Sequence, residues 1–203
     1  MQSLAIFPLF YLPSTSYFSA LAKNEYSFLI EKHEHFPKQT NRNRTRISSP
    51  NGTLDLYIPV IKGSKYHTVI KNVRISDDSE WQRLHWRSLQ SCYRNSAYFE
   101  YYEDEFAKFY HQKYKYLFDY NLELFEWVLK QLKVKYEAQF TEEYIAEVEP
   151  ALDFRGKKSF DAIEDVKGAK EYFQVFDDRN GFLPNMSIVD LLFSQGPQAK
   201  SFL

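Results

Sequence analysis

The chain has 203 residues, 26 Lys+Arg against 27 Asp+Glu and one Cys, which excludes an intrachain disulfide framework and any multi-Cys zinc site. Aromatic residues reach 18% beside ordinary charge, which excludes a disordered chain, and a net charge of −1 excludes a general DNA binder. That neutral total hides a split, because residues 1–101 sum to +5 and residues 102–203 to −6. The length predicts one domain, 1–203, large enough to bury a full core without staples.

Residues 3–12 are a short apolar run ending at Pro13, as expected of a fully buried strand. A secretory signal would carry basic residues ahead of such a run, whereas the first here is Lys23, behind it. The run is interrupted by Pro8 and Pro13 and is too short to span a membrane. The expectation is therefore a cytoplasmic chain without membrane insertion, in which the Asn43, Asn51 and Asn185 N-x-S/T triplets carry no glycan. Ser14, Thr15 and Ser16 can cap a following short helix. A second apolar run, Tyr26 to Ile30, then predicts a β-α-β opening with a parallel pair. Such units hold ligands just past their C-terminal strand ends, here Tyr11–Ser14 and Glu31–His35.

Residues 37–49 are polar and basic, Asn51-Gly52 signals a turn, and residues 54–60 alternate as a half-buried strand. Residues 66–75 read as a further strand or strand pair. A helix follows Asp77, with Ser79 as a possible cap and Trp81, Leu84, His85, Leu89, Cys92 and Tyr93 on one face. Two more helices follow, the second burying Leu122, Phe125, Val128, Leu129 and Leu132. Lys133–Phe140 predicts a strand, 141–170 an acidic loop-rich stretch, 172–176 a strand-like run and DDRNGFLP a turn. MSIVDLLF predicts a terminal helix closed by Gly196-Pro197. The expected fold is α/β: an N-terminal β-α-β with a mostly parallel sheet, a helix-rich middle and a short terminal helix.

There is no Walker loop, no dinucleotide fingerprint, no H-E-x-x-H and no G-x-S-x-G. DDRNG fails as a calcium loop because Phe176 and Ser187 stand where carboxylates are required. The densest chemical feature is Lys38, Arg42, Arg44 and Arg46, four cations in nine residues with no acid between them. On a helix, Arg42 and Arg46 would share a face. Guanidinium forks match phosphate or carboxylate oxygens, so the segment is either an anion site or a basic surface paired with the acidic back half. His33 and His35 flank Glu34 and could hold a metal, act as a base or simply end a strand. His85 reads as a hydrogen-bonded core residue and Cys92 as a small buried one. The two stand about 10 Å apart along one helix, too far for a dyad. The Tyr-rich stretches sit among acids that would repel phosphate, so they read as core rather than base-stacking platforms.

YLPSTSYFSAL, EKHEHFPKQTNRNRTRI, SPNG, LYIPV and WQRLHWRSLQSCYRNSAYFEYYEDEF, with the ending YFQVFDDRNGFLPNMSIVDLLFSQGP, resemble the WbqC-like family, in its Bacteroidetes-type variant. The resemblance covers nearly the whole chain. It implies a role in O-antigen or surface polysaccharide biosynthesis, with acyl or aminoacyl transfer to a nucleotide-linked amino sugar as the finer expectation. Matching residues include Tyr11, His33, Lys38, Gln39, Arg42, Asn43, Arg44, Trp81, His85 and Tyr93. On that pattern His33 and His85 are the leading acid/base candidates. Lys38, Gln39, Arg42, Asn43, Arg44 and Tyr11 are the expected groups around the substrate and its phosphate. Asn41 stands where an aromatic is expected and Ala97 where Pro is expected, departures that bear only on local packing. No metal site or cofactor is assigned. A non-catalytic partner in a polysaccharide assembly complex is the competing expectation, and RNA contact through the basic segment a weaker one.

Overall fold

The computed structural model describes residues 4–37, 40–61, 68–156, 160 and 170–203. Strand β1 (Ala5–Pro8), helix α1 (Thr15–Lys23) and strand β2 (Ser27–Glu31) form the β-α-β unit, with β1 and β2 parallel and Phe7 opposite Ile30. Strand β5 (Glu137–Phe140) joins the other side of β2, also parallel, giving the order β1-β2-β5. The outer edge of β1 is covered, since Ile6 N–H donates to the Leu152 carbonyl and Phe154 N–H to the Ile6 carbonyl. β1 and β2 are buried on almost every residue, as expected of parallel strands covered by other elements.

The strands are shorter than their apolar runs, for backbone reasons. Pro8 brings no N–H to the ladder, and Leu12 takes a left-handed φ of +41° that turns the chain out of the sheet. Glu25 and Tyr26 are left-handed too, at φ +54° and +55°, so the expected start of β2 at Tyr26 moves to Ser27. Lys133, at φ +53°, ends the preceding helix and leaves only Glu137–Phe140 of the expected Lys133–Phe140 strand in the ladder.

The basic segment is a strand rather than a helix. β3 (Arg44–Ser49) and β4 (Gly52–Tyr57) form an antiparallel hairpin through the turn that Asn51-Gly52 signals, with Gly52 at φ +99°. A period of two puts Arg44 and Arg46 on one face and the buried Thr45 and Ile47 on the other. Residues 68–75 do not form the expected strand. Val69, Arg74 and Ile75 bridge three separate partners, His35, Tyr116 and Val60, around a 3-10 turn at Ile70–Asn72. The expected residues 66 and 67 lie outside the described residues.

Helices α2 (Trp81–Tyr93), α3 (Phe99–His111) and α4 (Leu117–Gln131) make the middle. Glu80, not Ser79, precedes α2, and Leu84 points to solvent while Trp86 is buried. On α4, Leu122 is only half-buried and the other four residues of the expected stripe are buried. Residues 172–176 stay irregular because the Gln174 side chain takes the place of a strand, donating to the Leu183 carbonyl and accepting from Leu183 N–H. DDRN forms one helical turn, α5 (Asp177–Asn180), before Gly181. The terminal helix α6 (Ile188–Gln195) runs into a 3-10 segment at Gly196–Phe202.

The abundance of rings is spent on the core. Phe7 stacks on Phe154 at 4.2 Å and meets Tyr17 and Phe28 edge-on, while Phe125 contacts Tyr17, Phe18 and Phe28. Each such pair contributes about 0.5–1.5 kcal/mol beyond its buried area. Among the described residues no helix is long and apolar enough to cross a membrane.

Candidate functional site

A small, partly open cleft lies past the C-terminal end of β1. Its walls are the Tyr11–Ser14 loop, Asn41, strand β3 from Arg44 to Arg46, Phe160, and the turn holding Asn185 and Ser187 ahead of α6. Backbone bonds lock these segments together. Tyr11 N–H donates to Asn41, Thr15 to Met186, Ile188 to Pro13 and Ser187 to Arg46, all to carbonyl oxygens at 2.8–3.0 Å. The Leu12 carbonyl, turned by its positive φ, accepts from Thr45 Oγ1 at 2.7 Å and from Ser187 Oγ at 3.0 Å. Asn185 is left-handed as well, at φ +57°.

Two helices begin at this cleft. Ser14 precedes α1 and Ser187 precedes α6, and neither hydroxyl caps its own helix. The first amides of both helices are used inside the fold: Thr15 N–H donates to the Met186 carbonyl, Ser16 N–H to Asn185 Oδ1 and Ile188 N–H to the Pro13 carbonyl. Arg44 Nε and Nη2 reach Asn41 Oδ1 at 3.4 and 3.3 Å, and its guanidinium lies 6.0 Å from the Tyr57 ring. Arg46 forks onto Asp55 at 2.7 and 3.2 Å in a partly exposed pair, to which the Tyr57 hydroxyl also donates. Burial pushes the Asp55 carboxyl up, but hydrogen bonding and charge from Arg46, with Arg44 beyond it, hold it below its ordinary value. Among the described residues no Asp, Glu, His, Lys or Cys lines the cleft.

Arg42 is elsewhere. It is 4% exposed and clasps Glu34 through two bonds of 2.6 Å, while Nη2 also donates to the Arg155 carbonyl and the guanidinium lies over the Phe10 ring at 5.4 Å. Burial raises the Glu34 carboxyl, and Arg42 offsets part of that rise. Beside this pair, the fully buried Glu31 accepts from Thr141 Oγ1 and His33 N–H at 2.8 Å and from Arg155 at 3.1 Å. Arg155 in turn holds Asp153. The C-terminal end of β2 is thus filled by an internal ion network, which answers the fork of Arg42 within the fold. The Asn43 side chain donates to the Ile58 carbonyl and anchors the loop to β4. Lys38 and Gln39 lie outside the described residues.

The two candidate histidines stand in different surroundings. His85 is buried, its Nδ1 3.0 Å from the Tyr11 hydroxyl, which also meets the Tyr110 hydroxyl at 3.0 Å. Burial lowers its pKa to about 4, against a smaller opposing pull from the Tyr57 backbone. A ring that favours a proton on the nitrogen facing that backbone leaves Nδ1 as acceptor for Tyr11. Tyr11 therefore joins the cleft wall while its hydroxyl faces inward. His33 sits by the Glu31 network, with Nδ1 3.3 Å from Lys71 Nζ, and is not among the residues lining the cleft. Among the described residues no three His, Cys, Asp or Glu gather as metal ligands. Cys92 is a buried core residue whose thiol is pushed up to about 11 by burial and by Asp190.

Sequence reasoning missed Asn41, Asn185, Ser187 and Phe160, which depend on distant turns meeting. One signal was on the page: Asn41, set aside as a packing departure, instead bonds Arg44 and lines the cleft.

Across 100% of this chain and 98% of its own length, "Uncharacterized protein Rv1507c" of Mycobacterium tuberculosis (strain ATCC 25618 / H37Rv) is 26% identical over 234 positions. No solved structure matches. The model of the WbqC-like protein family matches residues 10–174, which take in α1, β2, the basic strand, the helical middle and most of the cleft, and the chain belongs to that family.

Proposed function

We propose that this protein binds a nucleotide-linked or otherwise phosphorylated sugar in the cleft, through Arg44 and Arg46, and works in building a surface polysaccharide. The observation that carries the reading is the cleft itself: Arg44 and Arg46 line it, and among the described residues no acidic side chain does. Membership of the WbqC-like family supports the polysaccharide setting. Calorimetry with UDP-N-acetylglucosamine tests the reading. Each charge-assisted bond is worth about 1.5–3 kcal/mol, so Arg44→Ala should weaken binding at least tenfold. Equal affinity in wild type and variant overturns it.

Two roles share this binding step. In the first, the protein is a transferase that passes an acyl or aminoacyl group to the amine of the bound sugar, with His33 or His85 taking the proton. In the second, it is a non-catalytic binding partner within an assembly complex. The second is favoured by one observation, that among the described residues no His, Asp, Glu, Lys or Cys lines the cleft. Mass spectrometry of UDP-glucosamine, whose amine is free, after incubation with activated acyl donors separates them, since only the transferase shifts its mass.

A further inference from the structure

Three donors from separate elements converge on one oxygen in the cleft. The Phe160 carbonyl accepts from Ser14 Oγ at 3.4 Å, Asn41 Nδ2 at 3.3 Å and Asn185 Nδ2 at 3.5 Å. Both amides are oriented by what grips their other end. Asn41 Oδ1 takes the Arg44 guanidinium, and Asn185 Oδ1 takes the Ser16 N–H at 3.2 Å. Each NH2 is therefore turned toward the shared oxygen. All three bonds are longer than usual, about 2.9–3.0 Å for N–H···O and about 2.7–2.8 Å for O–H···O, so the oxygen fits its cradle loosely. The Phe160 ring explains the fit: it is anchored among Phe10, Tyr17 and Phe154, which fixes where its carbonyl can reach.

We propose that Ser14, Asn41 and Asn185 form an acceptor-specific oxygen subsite beside Arg44 and Arg46, which takes the carbonyl oxygen of an acylamino group on the anionic sugar ligand. The Phe160 carbonyl, an amide oxygen of the chain's own backbone, fills that place and is displaced by a ligand oxygen that can approach more closely. This rests on the anion-binding reading of the same cleft and adds its specificity. A cradle made of donors rejects a free ammonium, which brings further donors and no acceptor.

The test is calorimetry with N-acetylglucosamine 1-phosphate and glucosamine 1-phosphate, which share the phosphate and differ in the carbonyl. The acetylated sugar should bind at least tenfold more tightly. Asn185→Gly removes the amide while keeping a residue suited to the positive φ, and Ser14→Ala removes one donor with no backbone change. Each should shrink the preference, read as the ratio of the two affinities in the same variant, the first to within twofold. Equal binding of the two sugars by wild type overturns the oxygen subsite and leaves the anion reading standing. A preference that survives in Asn185→Gly also overturns it. If neither sugar binds, the anion reading falls and the subsite with it.

Discussion

Arg42→Ala separates a structural arginine from a ligand-binding one. In the fold, Arg42 and Glu34 are both over nine-tenths buried and share two bonds of 2.6 Å. Removing one member of a buried pair leaves the other charge uncompensated and costs about 3–5 kcal/mol. In a chain of this size each kcal/mol lowers Tm by about 2–4 °C, so scanning calorimetry should record a fall of roughly 6–20 °C. Arg46→Ala is the matched control. Its pair with Asp55 is partly exposed, worth about 0.2–1 kcal/mol, and should move Tm by no more than about 4 °C. Replacing both buried partners, as Arg42→Met with Glu34→Leu, should recover much of the loss, because the desolvation of both ions disappears as well. An Arg42→Ala protein with unchanged Tm and no sugar-phosphate binding would refute this assignment and return Arg42 to the ligand.

His85 titrates near 4 in the fold against 6.5 unfolded, so its contribution is complete above about pH 6.5 and is lost as pH falls toward 4, by up to about 3 kcal/mol; urea midpoints at pH 7 and 4.5 in wild type and His85→Asn should show the variant losing less of its stability on acidification. Gly196→Ala should destabilise by about 2 kcal/mol or more, because a Cβ there would lie 2.4 Å from the Tyr98 ring and φ is +53°; an unchanged thermal midpoint would contradict it. Asp190 is fully buried under donors from Tyr93, Tyr172 and Gln174, so Asp190→Asn, which turns N–H groups toward them, should cost about 1–3 kcal/mol by denaturant unfolding. Cys92 should react with a thiol reagent only on unfolding, since burial holds its thiol up near 11; rapid labelling of the native protein would contradict this.

Local periodicity made the α/β order readable, because continuous apolar runs at 3–12 and 26–30 suit only covered strands and the period of the middle suits only helices. Element ends were less readable. They are set by left-handed residues at Leu12, Glu25, Tyr26 and Lys133, none of which is Gly or Asn, so nothing in residue type announced them. The site was legible by halves for a related reason. The strand ends at Tyr11–Ser14 were recognisable from the β-α-β unit, and they do wall the cleft. Asn185 and Ser187 come from more than 130 residues away, held by the Thr15–Met186 and Ile188–Pro13 bonds, and no local pattern encodes that meeting.

Charge counting misleads in the same way. The front half's excess of +5 looks like one anion-binding segment around Lys38–Arg46. Strand geometry divides it, because Arg44 and Arg46 alternate onto one face of β3 while Arg42 precedes the strand and turns into the interior. What Arg42 meets there is Glu34, eight residues earlier, and Arg155 from the acidic half joins Glu31 and Asp153 close by. Three carboxylates and two guanidiniums thus meet within the fold. They tie the end of β2 to the 153–155 segment that also covers the edge of β1. The placement of the arginines at the cleft leans on that network: Arg42, locked by Glu34, also offers its carbonyl to the buried Asn121 of α4, which fixes the chain two residues before Arg44. Loosening the Arg42–Glu34 pair should therefore weaken sugar-phosphate binding indirectly, through the placement of Arg44. The mild Arg42→Lys variant, which keeps the charge and loses the fork, should reduce affinity in proportion to its loss of stability. Arg44→Ala, by contrast, should reduce affinity with stability almost unchanged.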